Sequence, residues 1–187
     1  MNGRYALFSL LFVLSCAGAV VKADQNAPEL RQLFTDLANA ENRRQAGRIE
    51  QEIWTAWFDS PGNDALKMLN EARDAAESGA VNKAMTLFDS LVADYPNYAE
   101  GWNQRAIIRY LSGDVTGSLA DVDRALTLEP RHFGALSGRG QCYLRQELYG
   151  EALEAFEAAQ AINPWITSTA RQIEMLRAYI KDKQTPI

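Results

Sequence analysis

The sequence predicts an all-α protein built from stacked helix–turn–helix pairs. Proline recurs at a step of 34 residues, at Pro96, Pro130 and Pro164. Small and large side chains recur at the same step. Outside the repeated part, apolar residues follow the three- and four-residue spacing of a helix face. A fixed period of this length is typical of repeats that bury their apolar faces only against their neighbours.

Each repeated position has a physical reason. Small residues let the two helices of a pair approach closely, and they occupy Ala72, Ala106 and Gly140, then Ala84, Ser118 and Ala152. Larger residues fill the space between pairs, at Met68, Trp102 and Leu136, then Phe88, Val122 and Phe156. Gly79 and Gly113 fall where the first helix must end, a place that favours positive φ, and Glu147 takes the third such position. The prolines follow the second helix, which cannot continue through a residue without an N–H.

The most telling stretch is A-E-G-W-N-Q-R-A from Ala99 to Ala106, followed by Gly113-Asp114, A-L-T-L-E-P ending at Pro130, and R-H-F-G-A-L from Arg131 to Leu136. This pattern resembles the tetratricopeptide repeat (TPR) family, and in particular small exported bacterial TPR proteins of undetermined role. The resemblance covers roughly 100 residues. It implies three repeats, at 65–98, 99–132 and 133–166, stacked into a right-handed α-solenoid.

The sequence departs from the family pattern at a few positions. Glu71, Arg105 and Arg139 occupy a column where the family usually has leucine, and Ser118 stands where alanine is typical. We expect the repeats to curve or pack slightly differently from the consensus as a result.

The flanks of the repeats are expected to cap the stack. Thr167 to Gln184 reads as an amphipathic helix, so 167–187 is predicted as a carboxyl-terminal capping helix and tail. Residues 24–62 are predicted as a degenerate, capping helix pair, with helices from Pro28 to Ala40 and from Arg43 to Ser60. Its aromatic residues are interpreted as core that packs on the first repeat, with an exposed binding patch as the alternative; they are Trp54, Trp57 and Phe58.

Residues 1–23 follow the order of a secretory signal peptide: one positive charge, an apolar run, then small residues. Cleavage after Ala23 would place the folded part outside the cytoplasm, and together with the resemblance it points to the periplasm of a Gram-negative bacterium. Two alternatives stay open. Cys16 resembles the acylated residue of a lipoprotein signal, and the run from Tyr5 to Val21 is just long enough to remain as a membrane anchor.

Composition excludes several classes of function. The net charge is −5, and removal of residues 1–23 takes away two basic side chains and no acid, which leaves −7. Nucleic acid is therefore not expected as a partner, because phosphate binding needs a clustered basic surface. Beyond residue 23 only Cys142 remains, so no intramolecular disulfide is expected.

No catalytic or cofactor motif accompanies the repeats, and we expect neither an enzyme nor a cofactor nor a metal. His132 is the only histidine and is interpreted as a solvated loop residue. Cys142 is interpreted as a small buried side chain. The acidic residues of the second helices are interpreted as a solvated face; they include Asp121, Asp123, Glu151, Glu154 and Glu157.

The resemblance implies a concave groove lined by the first helix of each pair. By the family pattern, the groove residues are Leu69, Arg73 and Glu77 in repeat 1, Asn103, Ile107 and Tyr110 in repeat 2, and Ser137, Gln141 and Leu144 in repeat 3. Apolar, amide and aromatic groups together suit an extended peptide or a partner helix, with Tyr110 as an anchor. Some relatives clamp a terminal carboxylate with lysine and asparagine, and here only Arg73 and Asn103 resemble that arrangement.

The sequence therefore favours an exported scaffold or adaptor that binds a protein in this groove. One alternative is a membrane-anchored lipoprotein or envelope assembly factor that acts mainly through oligomerisation. Another is a hydrolase whose site carries no recognised motif.

Overall fold

The computed structural model describes residues 28–59 and 61–184, and within those residues the chain forms nine α-helices and no strand. Their bounds are α1 Pro28–Ala38, α2 Arg43–Asp59, α3 Asn63–Glu77, α4 Val81–Asp94, α5 Ala99–Leu111, α6 Val115–Leu128, α7 Phe133–Arg145, α8 Tyr149–Ile162 and α9 Thr167–Gln184. The predicted all-α repeat fold is confirmed. The predictions for residues 1–23, including Cys16, lie outside the described residues.

Helices α3 and α4, α5 and α6, and α7 and α8 form three antiparallel pairs, called repeats 1, 2 and 3. The repeated columns of the sequence form the core between them. Every member of the two small columns is buried, and so are the aromatic and aliphatic residues at Phe88, Val122 and Phe156. At Gly140 an added Cβ would lie 2.7 Å from the Phe156 ring, which shows how closely α7 approaches α8.

The first helix of each repeat ends in the same left-handed turn. Gly79 and Gly113 have φ of 79° and 90°, and Glu147 adopts φ of 61° at the matching place. The backbone N–H two residues after each helix bonds back across the turn, as from Leu148 to the Tyr143 carbonyl at 3.0 Å. The glycine positions were therefore predicted for the right reason, and repeat 3 forms the same turn with a residue that fits it less well.

Ion pairs explain two of the departures from the family pattern. Arg105 stands in a leucine column, but its guanidinium binds Asp121 through two hydrogen bonds of 2.7 and 2.8 Å and Asp89 at 2.9 Å. Arg139 donates to Asp123 at 2.6 Å in the next repeat. Each arginine thus joins its own helix to the second helix of the preceding repeat.

At the carboxyl end, α9 lies against α8 and covers the last repeat. Ile173 and Leu176 are buried against Phe156 and Ala152. The predicted helix from Thr167 to Gln184 is confirmed with the same bounds.

Helices α1 and α2, called the N-terminal hairpin, contact the loops that connect successive repeats. The Tyr98 hydroxyl, in the loop after repeat 1, donates to the Phe58 carbonyl at 2.9 Å. In the loop after repeat 2, Arg131 lies over the ring of Phe34 at 4.4 Å. In the loop after repeat 3, the Trp165 indole N–H donates to the Leu37 carbonyl at 3.3 Å.

The aromatic residues of α2 form core, as interpreted, but mostly with a different repeat from the expected one. Phe58 packs on the core of repeat 1. Trp57 instead stacks on His132 at 4.1 Å between ring centroids, and Trp54 meets Phe133 edge to face at 5.2 Å. The hairpin therefore lies alongside the three repeats, because its widest aromatic surface packs on repeat 3.

None of the helices within the described ranges is long and apolar enough to cross a membrane.

Candidate functional site

The first helices of the repeats, α3, α5 and α7, leave two pockets on the face they share, and this face is called the groove. The larger pocket, of about 590 Å³, lies between repeats 1 and 2. The smaller, of about 130 Å³, lies between repeats 2 and 3. Helix α5 separates them, and Leu111 lines both.

Helix α5 presents an exposed apolar ridge between these pockets. Leu111 is 71% exposed and Ile107 is 42% exposed. They are four residues apart, so they lie on one face of the helix about 6 Å from each other. Single exposed apolar residues are common on protein surfaces, but two on one ridge between two pockets form a continuous apolar surface.

Charged groups flank the ridge, and each arginine is held over an aromatic ring. Arg73 lies over Phe58 at 5.5 Å and within 4.0 Å of Glu77 beside the larger pocket. Arg145 lies over Tyr110 at 5.2 Å and donates to the Tyr110 carbonyl at 3.0 Å near the smaller pocket. Such contacts limit the conformations that each arginine samples, so its charge stays beside the groove.

Six of the nine predicted groove residues line the two pockets. Arg73 and Glu77 line the larger one. Asn103, Ile107, Tyr110 and Gln141 line the smaller one.

The other three predicted groove residues lie elsewhere. Leu69 is fully buried in the core of repeat 1, so it does not line the groove, contrary to the expectation. Leu144 packs on the buried cluster between α8 and α9. The Ser137 hydroxyl bonds the Phe133 carbonyl at 2.9 Å and lies 3.3 Å from that of Thr169, which places it at the junction with α9.

Leu111 is the groove residue that the sequence reasoning missed. The signal was present in the period, because a step of 34 residues from Glu77 leads to Leu111 and then to Arg145. The sequence reasoning chose Tyr110 and Leu144 instead, one residue out of register with Glu77. A strict 34-residue step would have found the most exposed apolar side chain of the ridge.

His132 is not a solvated loop residue, and that interpretation is wrong. Its side chain is 0% exposed and lies between Trp57 of the hairpin and Glu100 at the start of α5. Its Nε2 is 2.8 Å from the Glu100 carboxylate, and its Nδ1 accepts from the Ala135 N–H at 3.1 Å. The histidine is buried because the hairpin, whose position the repeat pattern does not predict, covers it.

Two further interpretations from the sequence have clear outcomes. Asp121 was expected on a solvated face, but it is buried and paired with Arg105 and Arg109. Cys142 is buried as expected, and its thiol donates to the Ser118 hydroxyl at 3.3 Å. Burial raises the pKa of the Cys142 thiol, so this thiol is a packing group with little thiolate character.

Stacked helix pairs with a pocketed face define the class: an α-solenoid of the helix–turn–helix type. The tetratricopeptide repeat model matches residues 69–130 and 105–164. A TPR repeat-containing protein of Rhizobium etli is 32% identical over 157 residues, which cover 83% of this chain and 76% of that protein. The chain belongs to the TPR repeat family.

Solved structures support the same fold. The first TPR domain of Spaghetti, bound to the HSP90 peptide SRMEEVD, has a TM-score of 0.60 at 15% identity, covering 63% of this chain and 93% of that one. The Yersinia enterocolitica type III secretion chaperone SycD, in complex with a peptide of the translocator YopD, has a TM-score of 0.59 at 14% identity, covering 63% and 96%.

Proposed function

We propose that this protein is an interaction module that binds a polypeptide in the groove, with apolar side chains of the partner in the two pockets. The observation that carries the proposal is the exposed ridge of Ile107 and Leu111 between those pockets. Both solved relatives described above hold peptides, which supports a peptide or an extended segment as the ligand.

The groove is better suited to an apolar segment than to a clamped terminal carboxylate. The cations beside it are already occupied: Arg73 lies near Glu77, and Arg145 bonds the Tyr110 carbonyl. On α5, Arg105 and Arg109 bind the acids of α6. Hydrophobic burial at the ridge is therefore the main attraction that the groove offers.

Photo-crosslinking from the ridge tests this proposal. A photoreactive amino acid in place of Leu111 should label one polypeptide in cells that express the protein, and mass spectrometry should locate the crosslink in a segment with apolar residues. The same group in place of Ala120, an exposed residue of α6, is the matched control. Equal labelling from both positions would contradict a groove site.

Substitutions then measure the contribution of the ridge. The double change Ile107→Ser and Leu111→Ser removes apolar surface worth on the order of 1 kcal/mol at each position, so the affinity for the crosslinked segment should fall about 10- to 100-fold. Met175→Ser is the control, because Met175 is similarly exposed but lies on α9. Thermal unfolding should show that all variants remain folded.

We also propose that the protein acts outside the cytoplasm, on the basis of the signal-like order of residues 1–23. The mass of the mature protein from the envelope fraction separates the three possible processing routes. Cleavage after Ala23, acylation at Cys16 and retention of the whole chain each give a distinct value. A full-length protein in the cytoplasmic fraction would refute export.

Self-association is a second candidate function, favoured by exposed side chains on α9. Met175 and Tyr179 are about half exposed on the helix that ends the stack, and Tyr179 packs on Tyr149 at 4.6 Å. If oligomerisation is the main activity, the wild-type chain sediments as an oligomer and Met175→Ser sediments as a monomer. A monomeric wild-type chain removes this candidate.

A further inference from the structure

The carboxylate of Glu100 accepts hydrogen bonds from three side chains. Glu100 is 1% exposed in the first turn of α5. It accepts from Asn103 Nδ2 at 3.0 Å and from Gln104 Nε2 at 2.6 Å. The third partner is His132 Nε2 at 2.8 Å. The helix N-terminus also favours a negative charge here, so the buried carboxylate is well compensated.

The direction of each of these hydrogen bonds follows from chemistry. His132 Nδ1 accepts the Ala135 N–H, so the proton of the neutral ring is on Nε2, and Nε2 donates to Glu100. A carboxylate accepts only, so the amides of Asn103 and Gln104 must both turn their NH₂ groups toward it. Among the described residues, no hydrogen bond engages the carbonyl oxygen of either amide.

Those two amides belong to the two pockets of the groove. Asn103 lines the smaller pocket and Gln104 lines the larger one. With both NH₂ groups held by Glu100, each amide has only its carbonyl oxygen, a hydrogen-bond acceptor, left to offer to a ligand. One buried carboxylate thus fixes the polarity of the groove on both sides of α5.

We propose that Glu100 is a positioning residue that makes the groove a hydrogen-bond acceptor, so that it selects an extended segment that donates backbone N–H groups between two apolar side chains. The inference rests on the proposed function of the groove. The pockets flank one helix, whose width of about 8–10 Å corresponds to roughly three residues of extended chain. Proline between the two apolar residues is excluded, because it has no N–H to donate.

The first experiment needs no partner. In the ¹⁵N-labelled full chain, the side-chain NH₂ groups of Asn103 and Gln104 should exchange with water at least tenfold more slowly than that of Gln51, which is exposed on α2. The change Glu100→Gln should abolish this protection for at least one of them. Exchange as fast as that of Gln51 in the wild type would overturn the inference and leave the proposed function standing.

The second experiment uses a phage-displayed library of random 12-residue peptides as the probe. The wild-type full chain should enrich peptides with two apolar residues about three apart and no proline between them. Glu100→Gln gives residue 100 an NH₂ group, which turns an amide around, so affinity for these peptides should fall at least tenfold. Enriched peptides that carry the intervening proline, or that bind Glu100→Gln as well as wild type, overturn the inference.

A compensating variant separates positioning from loss of structure. In the double change Glu100→Gln and Asn103→Asp, the amide at 100 donates to the carboxylate at 103, whose other oxygen again offers an acceptor to the pocket. Affinity should return to within about threefold of wild type, and failure of this rescue in a folded protein counts against the proposal. No enrichment by the wild type, with the amides protected, overturns the proposed function itself.

Discussion

The N-terminal hairpin and α9 flank the same three repeats, and they meet them in different ways. Helix α9 lies on α8 and buries Ile173 and Leu176 where a further repeat would stack. The hairpin instead contacts all three loops between repeats, through Tyr98, Arg131 and Trp165. One element therefore extends the array, and the other braces it from the side.

The difference shows what a repeat period predicts. A period specifies how each pair packs on the next, so α9 follows from the apolar stripe of the chain that continues the stack. It says nothing about an element whose partners are loops. A brace that contacts every loop should also couple repeats that would otherwise unfold separately.

The largest expected effect comes from Trp57→Ala. Trp57 is buried against His132 and Phe133, so its truncation should lower the free energy of unfolding by about 4 kcal/mol. Amide hydrogen exchange should show lost protection in α5 and α7 as well as in the hairpin, because the brace is released.

Leu176→Ala at the other end is the matched comparison. It also creates a buried cavity, but its loss of protection should stay within α8 and α9. If Trp57→Ala affects only α1 and α2, the hairpin is a passive attachment and the proposed difference between the two ends disappears.

His132→Ala should cost about 3 kcal/mol in unfolding free energy. The change removes a donor from the buried Glu100 carboxylate and the ring that stacks on Trp57. It also removes the cap of α7 at the Ala135 N–H. Chemical denaturation gives the value, and a loss below about 1 kcal/mol would contradict the role of His132 in holding the hairpin.

Gly134→Ala should destabilise the protein by about 2 kcal/mol. An added Cβ would lie 2.7 Å from Trp54 Cη2, so the hairpin must move away from α7. Gly138→Ala in the same helix is the control, because its Cβ would meet only Val122 at 3.8 Å. That control should stabilise the chain by about 0.5–1 kcal/mol through helix propensity, and similar melting shifts for both would refute the close contact.

The smallest expected effect lies inside a repeat, away from both flanking elements. Glu147→Gly should raise the free energy of unfolding by about 1 kcal/mol, because Glu147 holds φ of 61° where repeats 1 and 2 have glycine. Gly113→Ala should lower it by a similar amount, and thermal melts measure both. This pair provides the baseline for a local change against which the effects at the hairpin are judged.

The repeats and α9 were predictable from sequence, because their contacts join helices that are adjacent in the chain and recur in register. The burial of His132 and Glu100 was not, since a histidine after a proline and a glutamate in a first helical turn look like ordinary surface residues. The ridge lies between these cases: the period pointed to Leu111, whereas Leu69 is core because it faces the second helix of its own pair.

The hairpin also sets an order of events in folding. Most contacts of the solenoid join sequential helices, but Arg43 donates to the carbonyl of Trp165, 122 residues later in the chain. Contacts of such separation form late, because a long loop must close before they are rewarded. During synthesis the hairpin emerges first, yet its docking surface is complete only when residue 165 has emerged. The beginning of the chain thus stays undocked until repeat 3 has folded, and its docking marks the completion of the protein.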